Sequence, residues 1–121
     1  MRNTFGRLLL LAGILLGSLP GSLTCSAQGA PQRIELTAKR FTFDPGEITL
    51  KIGQPVVLVL KSADVAHGLR IRELGVDITV KAGGTAQVHF TPSRAGNFVA
   101  HCSVFCGSGH GTMVLKVHVA E

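Results

Sequence analysis

The chain has no tryptophan and no tyrosine, and six phenylalanines are its aromatic residues across 121 positions. Charge is sparse as well, at 16% of residues, and the lysines and arginines from Arg33 to Lys116 are scattered along the chain. Without a basic cluster interleaved with aromatics there is no footprint for nucleic acid, and these charges read as a solvated surface. A long hydrophobic run is also missing. The longest candidate, LLLLAGILLGSL from Leu8 to Leu19, spans twelve residues, whereas an α-helix crossing a bilayer needs about 20. Beyond Arg33 there is no sustained helical period, no internal repeat and no low-complexity segment.

The short apolar run has its own meaning. It follows Arg2 and Arg7 and precedes Pro20, Gly21 and the small-residue stretch TCSAQGA, the three-part form of a secretory signal. Cleavage is expected after Ala27, giving a signal peptide over 1–27, a short linker over 28–32 and a folded domain over 33–121. An uncleaved anchor, or a lipid on Cys25, is the alternative. Losing Arg2 and Arg7 leaves ten Lys or Arg against seven Asp or Glu, a mildly basic domain. The expected location is the periplasm or the outer face of the cytoplasmic membrane.

The remaining ninety or so residues read as short runs of β-formers divided by turn signals, which predicts an all-β sandwich of about seven or eight strands. RIELTAKRFTF ends at Asp44-Pro45-Gly46, ITLKI ends at Gly53-Gln54-Pro55, and VVLVLK is the continuous apolar run expected of a strand buried on both faces. HGLRI, VDITV, TAQVHF, NFVAHC and MVLKVHV follow. Residues two apart on a strand share a face. His89, His101 and His118 therefore alternate with apolar inward sets and read as surface histidines. His67 differs, because it shares parity with Leu69 and Ile71, while Gly68, Arg70 and Arg72 take the outward parity. An inward histidine beside apolar residues is ordinarily a satisfied core residue, so a functional role for it needs partners.

Those partners are in HCSVFCGSGHGTM, His101 to Met113, where Cys102, Cys106, His110 and Met113 recur at short intervals. The four-residue spacing imitates a helix face. Gly107, Gly109 and Gly111 make a helix untenable, each costing about 1 kcal/mol relative to alanine, so the segment is a loop that curls around something. A Cys102–Cys106 disulfide suits an exported protein but leaves His110 and Met113 unexplained. A cysteine nucleophile with a histidine base lacks an orienting carboxylate. Structural zinc on both cysteines, His110 and His67 leaves Met113 idle. Copper uses all of these donors, since thiolate and thioether suit the cuprous ion and imidazole suits both oxidation states. Cys106, His110, Met113 and His67 alone would make a mononuclear type 1 site. Cys102, inward by parity, is a second thiolate that would let two sulfurs bridge two copper ions.

Together with SADVAHGLRI upstream, this stretch resembles the binuclear copper-A (CuA) domain of cytochrome c oxidase subunit II and of nitrous oxide reductase, over about Gln32 to Glu121. The resemblance implies a cupredoxin-like Greek-key β-sandwich and a mixed-valence centre of two copper ions. It places the first imidazole on His67, within an aspartate-x-x-histidine element that begins at Asp64. The bridging thiolates fall on Cys102 and Cys106, the second imidazole on His110 and the weak thioether on Met113. The remaining weak ligand is a backbone carbonyl that falls on Val104, where subunit II usually has glutamate; only the carbonyl is used, so valine is expected to serve. The implied role is one-electron transfer in a respiratory chain, with a c-type cytochrome or cupredoxin as donor and an oxidase or reductase as acceptor. Catalysis is not expected from this chain alone. Membrane association would come through a partner or an uncleaved N-terminus. The family's aromatic, acidic surface for cytochrome c has no tryptophan to build it here, and His101 is a candidate for the patch where electrons arrive. A copper carrier or assembly factor, and a mononuclear cupredoxin, are the alternative functions.

Overall fold

The structure is a computed structural model that describes residues 30–121 continuously, with Gly13, Gly17, Ser18 and Gly21 as isolated described positions. The expected signal peptide and the Cys25 alternative lie outside the described residues. Within them, alternating apolar residues form nine strands. They are β1 (Gln32–Lys39), β2 (Thr42–Asp44), β3 (Glu47–Lys51), β4 (Val56–Ser62), β5 (His67–Ile71), β6 (Val76–Val80), β7 (Thr85–Phe90), β8 (Gly96–His101) and β9 (Val114–Ala120).

The strands make two sheets, a four-stranded one in the order β2-β1-β4-β7 and a five-stranded one in the order β3-β9-β8-β5-β6. The chain passes between sheets after β2, β3, β4, β6 and β7. These crossings bring non-neighbouring strands together in parallel: β1 runs beside β4, from Gln32↔Val56 to Ala38↔Ser62, and β3 runs beside β9. The inner faces meet in one apolar core. Leu36, Leu58 and Leu60 from the smaller sheet and Leu69, Ile71 and Leu115 from the larger are all fully buried.

The count of nine exceeds the seven or eight expected from sequence, and the added strand comes from the first run. RIELTAKRFTF is not one strand. It folds back at Arg40-Phe41 into the β1–β2 hairpin, with Lys39 opposite Thr42 and Ala38 opposite Phe43. Ala38 and Phe43 are both buried, yet their positions differ by an odd number, which one continuous strand forbids. In β4, Val56, Leu58 and Leu60 line the core. On the other face Val59 is buried, Val57 half-buried and Lys61 exposed, so that face is covered only in part. The alternation assigned to the other histidines holds: His89, His101 and His118 are exposed, and Leu115, Val117 and Val119 are buried.

Leu60 has no exposed surface and belongs to the central pair of its sheet. Leu60→Ala is expected to cost about 2–5 kcal/mol, seen as a lower midpoint in urea unfolding with an unchanged slope.

Candidate metal centre

The core histidine and the loop converge at one end of the larger sheet. β8 ends at His101 and β9 begins at Val114, directly opposite each other in the ladder. The Cys102 N–H then donates to the Met113 carbonyl at 3.2 Å, so the segment between them is closed at its base. Immediately before Met113 a single 3-10 turn, His110–Thr112, carries His110. His67 opens β5, whose Arg70 pairs with His101 of β8.

The closure gathers every donor expected from sequence. Cys102 Sγ lies 3.7 Å from Cys106 Sγ. His67 Nδ1 is 3.9 Å from Cys102 Sγ, and His110 Nδ1 is 3.6 Å from Cys106 Sγ. Met113 Sδ is 3.7 Å from Cys106 Sγ, and the Val104 carbonyl accepts from Cys102 Sγ at 3.1 Å. Each thiol thus has further donors beside it: His67 and the Val104 carbonyl lie near Cys102, and His110 and Met113 lie near Cys106. Cys102, Cys106, His67 and Met113 are buried, while His110 is half-buried. The thiols are free, and the nitrogen and sulfur atoms of His67, Cys102 and Cys106 all lie within 4.8 Å of one another.

His67 is held by Asp64. Its Nε2 is 2.6 Å from Asp64 Oδ1. The Asp64 carboxyl is held down to about 2 from 3.8, chiefly by the Arg40 backbone N–H, partly offset by burial and reinforced by His67 and the Val65 N–H. An ionised carboxylate only accepts, so Nε2 carries the proton and Nδ1 turns its lone pair toward Cys102. This is the outer partner that metal-binding histidines ordinarily have. Burial, reinforced by the Cys102 thiol, pushes the Cys106 thiol up to about 11, so in the metal-free chain it keeps its proton at neutral pH and would release it to a bound cation.

Sequence parity put Gly68 on the outward face. The structure buries it, because the loop after Cys102 folds back over β5 and the Ser103 N–H donates to the Gly68 carbonyl at 3.3 Å. A Cβ on Gly68 would stand 2.1 Å from Ser103 Oγ and 3.2 Å from the Val104 backbone nitrogen. Two further residues escaped the sequence reading. The Phe41 ring covers the ligand loop so closely that a Cβ on Gly109 would lie 2.4 Å from it, and one on Gly107 3.0 Å. Arg40 Nε–H donates to the Cys106 carbonyl at 3.1 Å from 66 positions away. Neither contact leaves a local signal; only the parity break within β1–β2 marks the hairpin that makes them.

A profile of the cupredoxin-like domain matches residues 8–115, most of the chain. The chain belongs to the cupredoxin-like domain family. Among relatives of this cupredoxin, cytochrome c oxidase subunit 2 of Thermus thermophilus is 30% identical over 87 residues, covering 69% of this chain and 64% of that protein. The chain thus spans less than two thirds of that relative's length. The periplasmic domain of subunit II of cytochrome oxidase (CoxB) of Bradyrhizobium japonicum matches the fold with a TM-score of 0.68 at 22% identity, over 76% of this chain and 86% of that one. A chain of a heme-copper terminal oxidase dimer matches at 0.66 with 28% identity, over 75% and 66%. The domain is therefore a cytochrome c oxidase subunit II-like cupredoxin. Among the described residues no helix is long and apolar enough to cross a membrane.

The donor set fits copper: two thiols, two imidazoles whose Nδ1 atoms face the thiols, a thioether and a carbonyl, none of them left over. Asp64→Asn is expected to weaken metal binding about 10–100-fold, measured by competition with a chelator. In the metal-free protein the folded Asp64 value lies below the unfolded one. Its stabilisation is complete above 3.8 and vanishes as pH falls toward about 2, so the variant's melting temperature should fall less steeply through that window. Gly68→Ala is expected to lift the loop and weaken metal binding, with backbone amide shifts concentrated at Cys102 to Cys106.

Proposed function

We propose that this domain is a binuclear copper electron-transfer module of the CuA type. The observation that carries the reading is two thiols 3.7 Å apart with two imidazoles, a thioether and a backbone carbonyl gathered around them, a donor set large enough for two ions that share both sulfurs. A mononuclear type 1 site would use Cys106, His110 and Met113 with His67, and would leave Cys102 and the Val104 carbonyl without a role. Zinc on the cysteines and histidines would leave Met113 without one.

Two copper ions bound there supply a one-electron couple with the charge shared between them. The chain's part is to hold the donors still. Cys102 and Met113 are pinned by the base of the loop, and His67 is fixed by Asp64 and the first position of β5. Such preorganisation keeps the geometry from changing when an electron arrives. The apolar surroundings of Leu69, Leu115 and Ala100, all fully buried, exclude water and set the dielectric that tunes the potential.

On this reading the domain is exported and works in the periplasm or on the outer face of the membrane, between a redox protein donor, such as a c-type cytochrome or cupredoxin, and an oxidase or reductase acceptor. Exposed His101 adjoins Cys102 in a concavity that Arg70, Arg72 and Val99 also line, and this is the surface assigned to arriving electrons.

Reconstitution tests the centre. The folded protein is expected to hold two coppers per chain and to give a paramagnetic resonance spectrum in which one unpaired electron couples equally to both. Cys102→Ser is expected to leave one copper with a mononuclear signal. One copper in the parent protein would sink the binuclear reading, and rapid surrender of bound Cu(I) to a weak chelator would favour a delivery role.

A further inference from the structure

The hairpin turn between β1 and β2 reaches the metal centre from the opposite sheet. The Arg40 backbone N–H donates to Asp64 Oδ2 at 2.8 Å, and the other oxygen of that carboxylate holds His67 Nε2. The Arg40 Nε–H donates to the Cys106 carbonyl at 3.1 Å. Beside it the Phe41 ring lies against Gly107 and Gly109. One residue therefore bears on two of the candidate donors, on His67 through its carboxylate and on Cys106 through its backbone carbonyl.

We propose that Arg40 is a positioning residue of the metal centre, its guanidinium latching the ligand loop at Cys106 onto the same turn that fixes Asp64 and His67. The ligand loop needs such a latch. Between Cys102 and Met113 its backbone bonds are few: Ser103 to Gly68, and His110, Thr112 and Met113 to carbonyls three residues back. The stretch from Val104 to Gly109 donates no backbone bond of this kind, and Phe105 at its tip is 78% exposed. Cys106 sits in the middle of that stretch. A bond from a charged donor is stronger than a neutral one, and this one acts on the unsupported stretch at the point where a thiol must be held.

The two bonds of Arg40 separate cleanly in an experiment, because a side-chain change leaves the backbone N–H to Asp64 in place. Arg40→Met keeps the apolar stem and removes the guanidinium. Arg33→Met is the control, removing an exposed arginine on β1, the strand that leads into the turn, where it pairs with Glu35. The first readout needs no metal: the reduced full-length chain is alkylated with iodoacetamide and the products are followed by peptide mass, so that Cys102 and Cys106 are scored separately. Arg40→Met is expected to raise the alkylation rate of Cys106 about tenfold by letting the loop open more often, with the protein still unfolding cooperatively well above the assay temperature and Arg33→Met like the parent. The second readout rests on the copper reading above. In the loaded protein, losing a neighbouring cation favours the more positive oxidised form, so the reduction potential of Arg40→Met falls. An alkylation rate equal to the parent's, or an equal rise in Arg33→Met, would overturn the proposal. A chain that takes up no copper would overturn the proposed function instead, while the alkylation rates would still decide the role of Arg40.

Discussion

The rest of the site depends on one backbone hydrogen bond, from the Cys102 N–H to the Met113 carbonyl. It extends the β8–β9 ladder one rung past His101↔Val114 and so brings the two ends of the ligand loop side by side. Both end residues are buried donors, and both take their positions from a sheet whose strands are held on each side. The third anchor, His67, begins the neighbouring strand. The centre therefore inherits its stiffness from the middle of a five-stranded sheet, and the loop has only to place Cys106 and His110 against donors that are already fixed.

Much of this was legible in the residues. The periods of two, the turn signals and the inward parity of His67 gave the sandwich and the core histidine, because strand burial follows alternation so directly. The spacing of Cys102, Cys106, His110 and Met113 announced the metal centre because glycines denied it any regular structure. The β1–β2 hairpin was not legible as such, since Arg40-Phe41 interrupts a run of β-formers without a glycine or proline to mark the turn. Gly68 was assigned outward because parity speaks of a strand and its sheet, not of a loop that folds back over the strand's outer face. The contacts of Arg40 and Phe41 with the loop join residues more than sixty positions apart, and nothing local encodes them.

The two imidazoles of the site differ in their surroundings. His67 has no exposed surface and is tied to a carboxylate, so its imidazole is electron-rich and its ring cannot turn. His110 is half-buried, follows an exposed Ser108 and lies with its ring centroid 5.7 Å from that of exposed Phe105. His67 is thereby fixed more firmly than His110, while concavities beside Cys102 and beside Cys106 bring the surface close to both thiols.

The packing of Phe41 on Gly107 and Gly109 also bears on how such a loop can be inherited or transplanted. The glycines are there because a ring occupies the space their side chains would need, so the loop's shape is written partly in a hairpin on the other sheet. Grafted alone onto a different sandwich, the segment from Cys102 to Met113 would carry all but one of the candidate donors and none of the surface against which it was moulded. The heritable unit is the pair of segments, and a change in either one sets the terms for changes in the other.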